Sequence, residues 1–467
     1  MKKIAKIVLA VATVALLASC GGGKKQSKAA LEAAANGDYS QLKVFNDPKT
    51  GKPYDFGGMT VTVWDWWSNP NAEPTTKEAV DRAAYRQYLM DTYNFKYVEC
   101  DLGAGWGGYP EKVLQICATG DRSVGYSVFR LDGRPALKGL MNGYYADLSK
   151  CPDIDWKDKK WNQAVRGTMT NGKSFYCFNA GAPEPKNCLF FNKRILEENG
   201  YDRDYPYDLQ KEGKWTWAKF EEILAKLTKD TNADGIIDQY GMASFNTEFS
   251  WQAIASNGAN VVVGKDKDGK FFLDMSDAEK EAWQWIQDMF TKYNKPQGDA
   301  SWDYWRPAFV NGEVGFMANQ EYDAQPNGNF KDMKDDFGMV SFPSGPKGNG
   351  KPFTFSQDYM WVIPSFYEQD EIDAIMKIMD FCTDPVPGYD DPDAWKEGYY
   401  AGFRDERAVD ETLQYFHDNA LPFYAWLIPD FNYAPLAWSI CAGNDVSTIL
   451  EENKNQLQAA LDKVNGK

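Results

Sequence analysis

Strand-like runs alternate with runs at helical spacing along most of the chain, and this alternation restricts the possible folds more than any other feature. Met59-Thr-Val-Thr-Val-Trp64 alternates as a strand does, and Thr76 to Tyr93 sets Val80, Ala83, Ala84, Leu89, Met90 and Tyr93 at helical spacing. Lys96 to Cys100 reads as a second strand, Tyr109 to Ala118 as a short helix, and another helix ends within Gly139–Leu148. The pattern resumes with a strand at Cys188–Phe191 and a helix at Lys193–Asn199 closed by Gly200. Thr216 caps a helix with the stripe Trp217, Phe220, Leu224 and Leu227, and Ser276-x-x-Glu279 is a capping box opening a helix to Tyr293. Phe353 to Ile363 reads as one strand, and Val446 to Val464 as a periodic terminal helix. Strands alternating with helices make βαβ units, so the expected class is α/β with largely parallel sheets. The 467 residues show no internal repeat and no Pro/Gly-rich linker, which favours two lobes joined by several crossings over separate beads.

Charge and rare residues remove whole classes of function. Asp and Glu number 67 against 51 Lys and Arg, a net charge of −16, and no basic run interleaves with aromatics, so no nucleic-acid partner is expected. The lone histidine, His417, excludes a multi-His zinc site and argues against a Ser-His-Asp triad. Seventeen Trp exceed what a core needs, and a minority lining a cleft would suit stacking on flat ligand faces. Cys100, Cys117, Cys151, Cys177, Cys188, Cys382 and Cys441 are widely spaced with no C-x-x-C, which favours buried thiols over a metal or redox motif.

The first residues predict export. Lys2, Lys3 and Lys6 precede an apolar run from Ile7 to Ala18, too short to span a membrane, and Leu17-Ala18-Ser19-Cys20 is followed by three glycines. Small residues before a Cys resemble a bacterial lipobox, which implies a signal peptide over 1–19, lipidation of Cys20 and a flexible tether over 20–38 with a short Ala-rich helix at 29–35. The expected location is the cell envelope, on the periplasmic side or on the outer face of the cytoplasmic membrane.

Asp230-Thr-Asn232-Ala-Asp234-Gly235-Ile236-Ile-Asp238 carries oxygen ligands at the first, third, fifth and ninth positions with Gly at the sixth. That is the spacing of a calcium loop, with the Ile236 carbonyl as a further ligand, but the twelfth position, where a bidentate Glu belongs, is Gly241. Two readings stay open: a structural calcium site, or an acidic turn bonded to its own backbone. No cofactor for catalysis is expected.

Several segments, taken in order, resemble the extracellular solute-binding proteins of bacterial ABC importers, the family of sugar-binding lipoproteins. They are Trp215-Thr-Trp217 through Thr228 followed by DTNADGIIDQYG, Cys188-Leu-Phe-Phe-Asn192-Lys193, Phe309-Val-Asn-Gly312-Glu-Val-Gly315-Phe-Met317, Phe342-Pro343-x-Gly345-Pro346 and Val362-Ile-Pro364. Gly315 stands where the family usually has Ala. The resemblance implies a two-lobed periplasmic-binding-protein fold, with 39–185 and 350–405 in one lobe and 186–349 and 406–467 in the other. Crossings are then expected near 183–188, 345–352 and 405–420, with a cleft that closes by a hinge. It nominates Asp65, Trp66 and Trp67 after the first strand, then Arg130, Asp132 and Arg134, and Glu184 before the first crossing. It also nominates Glu248, Trp251, Tyr322, Gln357, Asp358, Trp426 and Phe431.

A sugar ring offers an apolar face to aromatics and a rim of hydroxyls to Asp, Glu, Asn and Arg. The adjacent Trp66 and Trp67 follow an alternating strand and cannot both enter one core face. The expected function is therefore capture of a carbohydrate, of oligosaccharide size, by a monomeric non-enzymatic lipoprotein that hands it to permease subunits. The alternative is a secreted glycoside hydrolase using a carboxylate pair, and 67 acids leave that pairing open.

Overall fold

Val61, Val63 and Asp65 alternate with less buried neighbours, so the strand they form turns one face fully inward. The computed structural model describes residues 26–466 except 75, 182, 327, 357, 390–392 and 401. In chain order its principal elements begin with α1 (Lys28–Ala35), β1 (Met59–Asp65), α2 (Lys77–Tyr93), β2 (Phe95–Asp101), α3 (Gly105–Thr119), β3 (Tyr126–Leu131) and α4 (Gly133–Met141). There follow β4 (Asn187–Asn192), α5 (Lys193–Glu198), α6 (Trp217–Leu227), β5 (Tyr240–Met242), α7 (Asn246–Ser256), α8 (Asp277–Tyr293), β6 (Val314–Gln320) and β7 (Phe337–Val340). The last are β8 (Thr354–Ser356), β9 (Met360–Val362), α9 (Gln369–Cys382), β10 (Ala420–Pro422) and α10 (Val446–Val464).

Two four-stranded sheets organise the chain. The first has the order β9-β3-β1-β2, with β1 parallel to β2 and β3, and β9 antiparallel to β3. The second has the order β7-β4-β6-β5. Here only β5 and β6 pair in parallel; β4 runs against both of its neighbours, so this sheet is not the mostly parallel one expected. The reason is connectivity: β4 is entered from the first lobe by a direct crossing, not through a helix packed on its own sheet.

Local signals explain most elements. Thr76 accepts from the Ala79 amide to start α2, and Asn94 in the left-handed region ends it. The buried edge of α2 is Leu89 and Tyr93, the latter stacked on Phe381 of α9 at 4.5 Å, whereas Val80 is 49% exposed. The expected stripe of α6 is buried whole and Ile223 joins it, and each such side chain contributes about 1.5–3 kcal/mol by leaving water. Gly315 departs from the family's Ala because β6 runs tight against α6: a Cβ there would meet Leu227 Cδ1 at 2.4 Å and the Gly241 carbonyl at 3.1 Å.

Two expectations change. Residues 353–363 form two short strands in different sheets, and between them the Asp358 carboxylate accepts from Ser356 Oγ and the Glu184 amide. The capping box of α8 is half formed. Ser276 accepts from the Glu279 amide, but the Glu279 side chain turns into the core, where Trp283 Nε1 donates to it and burial pushes its carboxyl well above the usual range. Within the expected tether, α1 is capped by Ser27 and buries Ala30 and Ala34 beside Leu42, Tyr39, Tyr85 and Tyr88. The signal peptide and Cys20 lie outside the described residues. Among the described residues all seven cysteines carry free thiols, and no helix is long and apolar enough to cross a membrane.

Candidate ligand-binding cleft

The carboxyl end of a parallel sheet is where loops from neighbouring strands converge, and Asp65 at the end of β1 and Asp132 just past β3 lie at such an end. Past β1, the Asp65 carboxylate accepts from the Trp67 and Ser68 amides at 3.0 and 2.7 Å and from Ser68 Oγ. Its remaining reach is taken by Arg130 Nη1 at 3.0 Å. Asp65 is fully buried, so it shapes the loop and offers no free rim contact as the resemblance implied. Arg130 also donates to Glu99 at 2.9 Å and lies over the Trp67 and Trp361 rings at 5.8 and 5.1 Å. Burial opposes the Arg130 charge, but Glu99, Tyr97 and Asp65 outweigh it and hold the guanidinium's pKa above its ordinary value.

What this framework presents is aromatic. Trp66 and Trp67 meet edge to face at 4.6 Å, and Tyr359 packs on both at 5.3 Å. Trp67 is 48% and Tyr359 37% exposed, while Trp66 leans back on Tyr109. Tyr359 was not nominated, although it adjoins Asp358 in sequence; β9 pairing with β3 brings it beside the β1 loop. Burial foremost raises the Tyr359 hydroxyl, and among the charges Lys186 opposes the shift while Glu184, Asp132 and Asp65 add to it, so one field covers both the first sheet's end and the crossing strand.

At the crossing, Glu184 ion-pairs with Lys186, and its amide donates to Asp358 at 2.9 Å. Asp358 also accepts from Asn162, and burial raises its pKa. One residue beyond Lys186, Asn187 donates to Glu248 at the start of α7, and Gln320 at the end of β6 donates to the same carboxylate at 2.9 Å. Burial raises Glu248 as well, and lifts the neighbouring Glu321 to about 7. Tyr322 is 42% exposed and accepts from Arg306, whose guanidinium also grips the fully buried Asp323. Asn187, Gln320, Glu321 and Arg306 were not nominated; Asn187 lies more than a hundred residues before the other three, and the β4–β6 pairing sets it opposite Gln320.

The remaining nominations divide. Asp132, at the start of α4, is half-buried with its pKa raised by desolvation, and the exposed Arg134 lies over Trp426 at 5.6 Å. Trp251 and Phe431 are corrected: they are 4% and 1% exposed, and Trp251 packs on Trp283, Phe423 and Tyr433 in the core. Gln357 lies outside the described residues. The 230–238 loop is drawn onto itself: Asp230 accepts from the Asn232, Ala233 and Gly235 amides, Asp234 from Ile236, and Asp238 from Thr231. Among the described residues no three His, Cys, Asp or Glu side chains stand close enough together to hold a metal ion.

Comparison with known proteins follows this geometry. The cyclic α-maltosyl-1,6-maltose binding protein from Arthrobacter globiformis is 15% identical, with 87% of this chain and 100% of that one covered and a TM-score of 0.60. The extracellular solute-binding protein from Staphylococcus aureus in complex with maltose is 15% identical over 87% and 98%, at 0.58. UgpB from Mycobacterium tuberculosis in complex with glycerophosphocholine is 16% identical over 87% and 99%, at 0.57. These likenesses show the fold, the two-lobed periplasmic-binding-protein type. No curated protein matches the sequence. The family model described as bacterial extracellular solute-binding protein does match, over residues 83–390, and by that span the chain belongs to this family.

Proposed function

We propose that the protein captures a carbohydrate of oligosaccharide size in the cleft and passes it to the permease of an ABC importer. The observation that carries this is the Trp66–Trp67–Tyr359 wall, whose exposed faces stand within the electrostatic reach of Glu184, Lys186 and Asp132. Rings of this kind cover the apolar face of a sugar with little loss of side-chain freedom, and carboxylates and amides take the hydroxyl rim. The chain acts as a monomer and performs no bond cleavage; a lipid on Cys20 holds it to the cell envelope. Structures of the same fold carry maltose or a cyclic maltosaccharide in their names, which supports the sugar class.

The test is a titration of intrinsic Trp fluorescence with mono- and oligosaccharides, with the sugar recovered afterwards. A saturable shift with intact sugar is expected; no shift with any sugar, or release of product, overturns the proposal. Trp67→Ala should weaken binding by about 1–3 kcal/mol while leaving the unfolding midpoint nearly unchanged, since the ring is half in water already. Equal affinity in the variant would remove Trp67 from the site.

Calcium at Asp230, Asn232, Asp234, Asp238 and the Ile236 carbonyl belongs to the same proposal, as a structural staple remote from the sugar. The support is ligand spacing and the Gly235 turn, held at a φ of 90°. Calcium should raise the melting temperature of the wild type and not of Asp234→Ala, with sugar affinity unaltered; a melting curve indifferent to chelator ends this reading.

A further inference from the structure

The buried carboxylates divide into two sets. Asp323 is gripped by Arg306, Asp65 by Arg130, and Asp380 by Lys160 and Lys377. Asp274 and Glu279 lie buried without an ion pair among the described residues, and so do three carboxyls at the crossing. Glu248, Glu321 and Asp358 are 8%, 2% and 9% exposed, and none forms an ion pair among the described residues; Lys186, whose charge reaches Glu321 and Asp358, is paired with Glu184. Hydrogen bonds link the segments that carry them. Asn187 and Gln320 both hold Glu248, Gln320 adjoins Glu321, the Glu321 amide donates to the Lys186 carbonyl, and the Glu184 amide donates to Asp358.

A second observation points the same way. Asn187 is fully buried and spends its amide N–H on Glu248, but among the described residues its carbonyl oxygen has no donor. Leaving such an acceptor unsatisfied forfeits the hydration it has in the unfolded chain. The group is thus rich in acceptors and poor in donors. A sugar hydroxyl brings one proton and two lone pairs that would need donors the group cannot spare, whereas an ammonium brings three donors and no acceptor. The overall charge of −16 also favours encounter with a cation.

We propose that the cleft selects an amino sugar, an oligosaccharide bearing a protonated amine, with Glu248 and Glu321 as its charge partners and the Asn187 carbonyl as a third acceptor. This rests on the carbohydrate reading above and narrows it. The aromatic wall holds the ring and the acids read the amine. Since burial leaves Glu321 half protonated near neutrality, docking of an ammonium displaces a proton into solvent.

The test is calorimetry at pH 7 with four probes: the glucosamine trimer, its N-acetylated counterpart, maltotriose and spermidine. Each is measured in two buffers of different ionisation enthalpy. The glucosamine trimer should bind at least tenfold tighter than its acetylated form, lose affinity with added salt, and release protons. Glu321→Gln should abolish the proton release, and Glu248→Gln should erase the preference for the free amine, each variant first shown to melt cooperatively. Equal or tighter binding of the acetylated trimer or maltotriose overturns the amine proposal and leaves the carbohydrate reading standing. Binding of spermidine with no sugar bound overturns both the amino-sugar proposal and that reading, as does silence from all four probes. A preference for the glucosamine trimer that survives Glu248→Gln and Glu321→Gln overturns the assigned partners.

Discussion

Arg130→Met is expected to lower the free energy of unfolding by about 3–5 kcal/mol, because it leaves the fully buried Asp65 without its cation and takes one of two arginines from Glu99. The Arg130 side chain is 11% exposed, Asp65 is fully buried, and Glu99 keeps only Arg86 and the Tyr97 hydroxyl as donors. Methionine fills a similar volume, so the loss measures the charge and not a cavity. The damage should also reach function. Asp65 fixes the Trp67 and Ser68 amides, and Arg130 lies over the Trp67 ring, so an uncompensated Asp65 would loosen the loop that presents the aromatic wall. Chemical denaturation reads the first effect and hydrogen exchange at residues 65–68 the second. Arg130→Lys should recover only part of the stability, since one ammonium cannot fork between two carboxylates as the guanidinium does. A change below about 1 kcal/mol in the methionine variant would show that the triad is dispensable.

What the sequence revealed depended on whether a feature was local. The alternation of residues 59–65, the Thr76 and Thr216 caps and the periodicity of 446–464 are each written within one element, and each element formed nearly where the pattern placed it. The break inside 353–363 was not legible, because the run carries no mark of the bond that Asp358 accepts from the Glu184 amide across the crossing. Nor was the reversed sense of β4, which follows from where the chain enters the second sheet. In the site, Trp66 and Trp67 could be nominated because two adjacent indoles cannot share a core face. Trp251 and Phe431 could not be sorted from them, since whether a ring lines a cleft or a core is decided by partners such as Trp283 and Tyr433. Asp65 and Arg130 were both visible as candidates, but their bond to each other was not. That bond turns Asp65 from a ligand contact into a support for one.

Acidifying the protein from pH 8 to pH 5 is expected to stabilise it against denaturant at the Glu321 site by about 3 kcal/mol, the reverse of ordinary acid destabilisation. Burial lifts the Glu321 carboxyl from 4.5 to about 7, with the Gln325 amide and Lys186 opposing that shift and Glu184 and Asp323 adding to it. Below pH 4.5 the group is protonated in both the folded and the unfolded chain, so the stability tied to the neutral form is fully present. As pH rises, the unfolded chain gives up its proton first, and this stability drains away until it is lost once pH passes about 7. The size follows from about 1.4 kcal/mol per pH unit over the interval between the two values. Other carboxyls titrate in the same range, and paired ones such as Glu99 and Asp335, whose Arg partners hold them low, pull in the opposite direction. The wild type alone therefore mixes signs, and the contribution is isolated by subtracting Glu321→Gln, which cannot ionise. The variant should match the wild type near pH 4 and exceed it progressively toward pH 8, by most of the 3 kcal/mol. A difference that stays flat across this range would mean that Glu321 titrates like an exposed carboxylate and that the crossing holds no strained acid for a ligand to relieve.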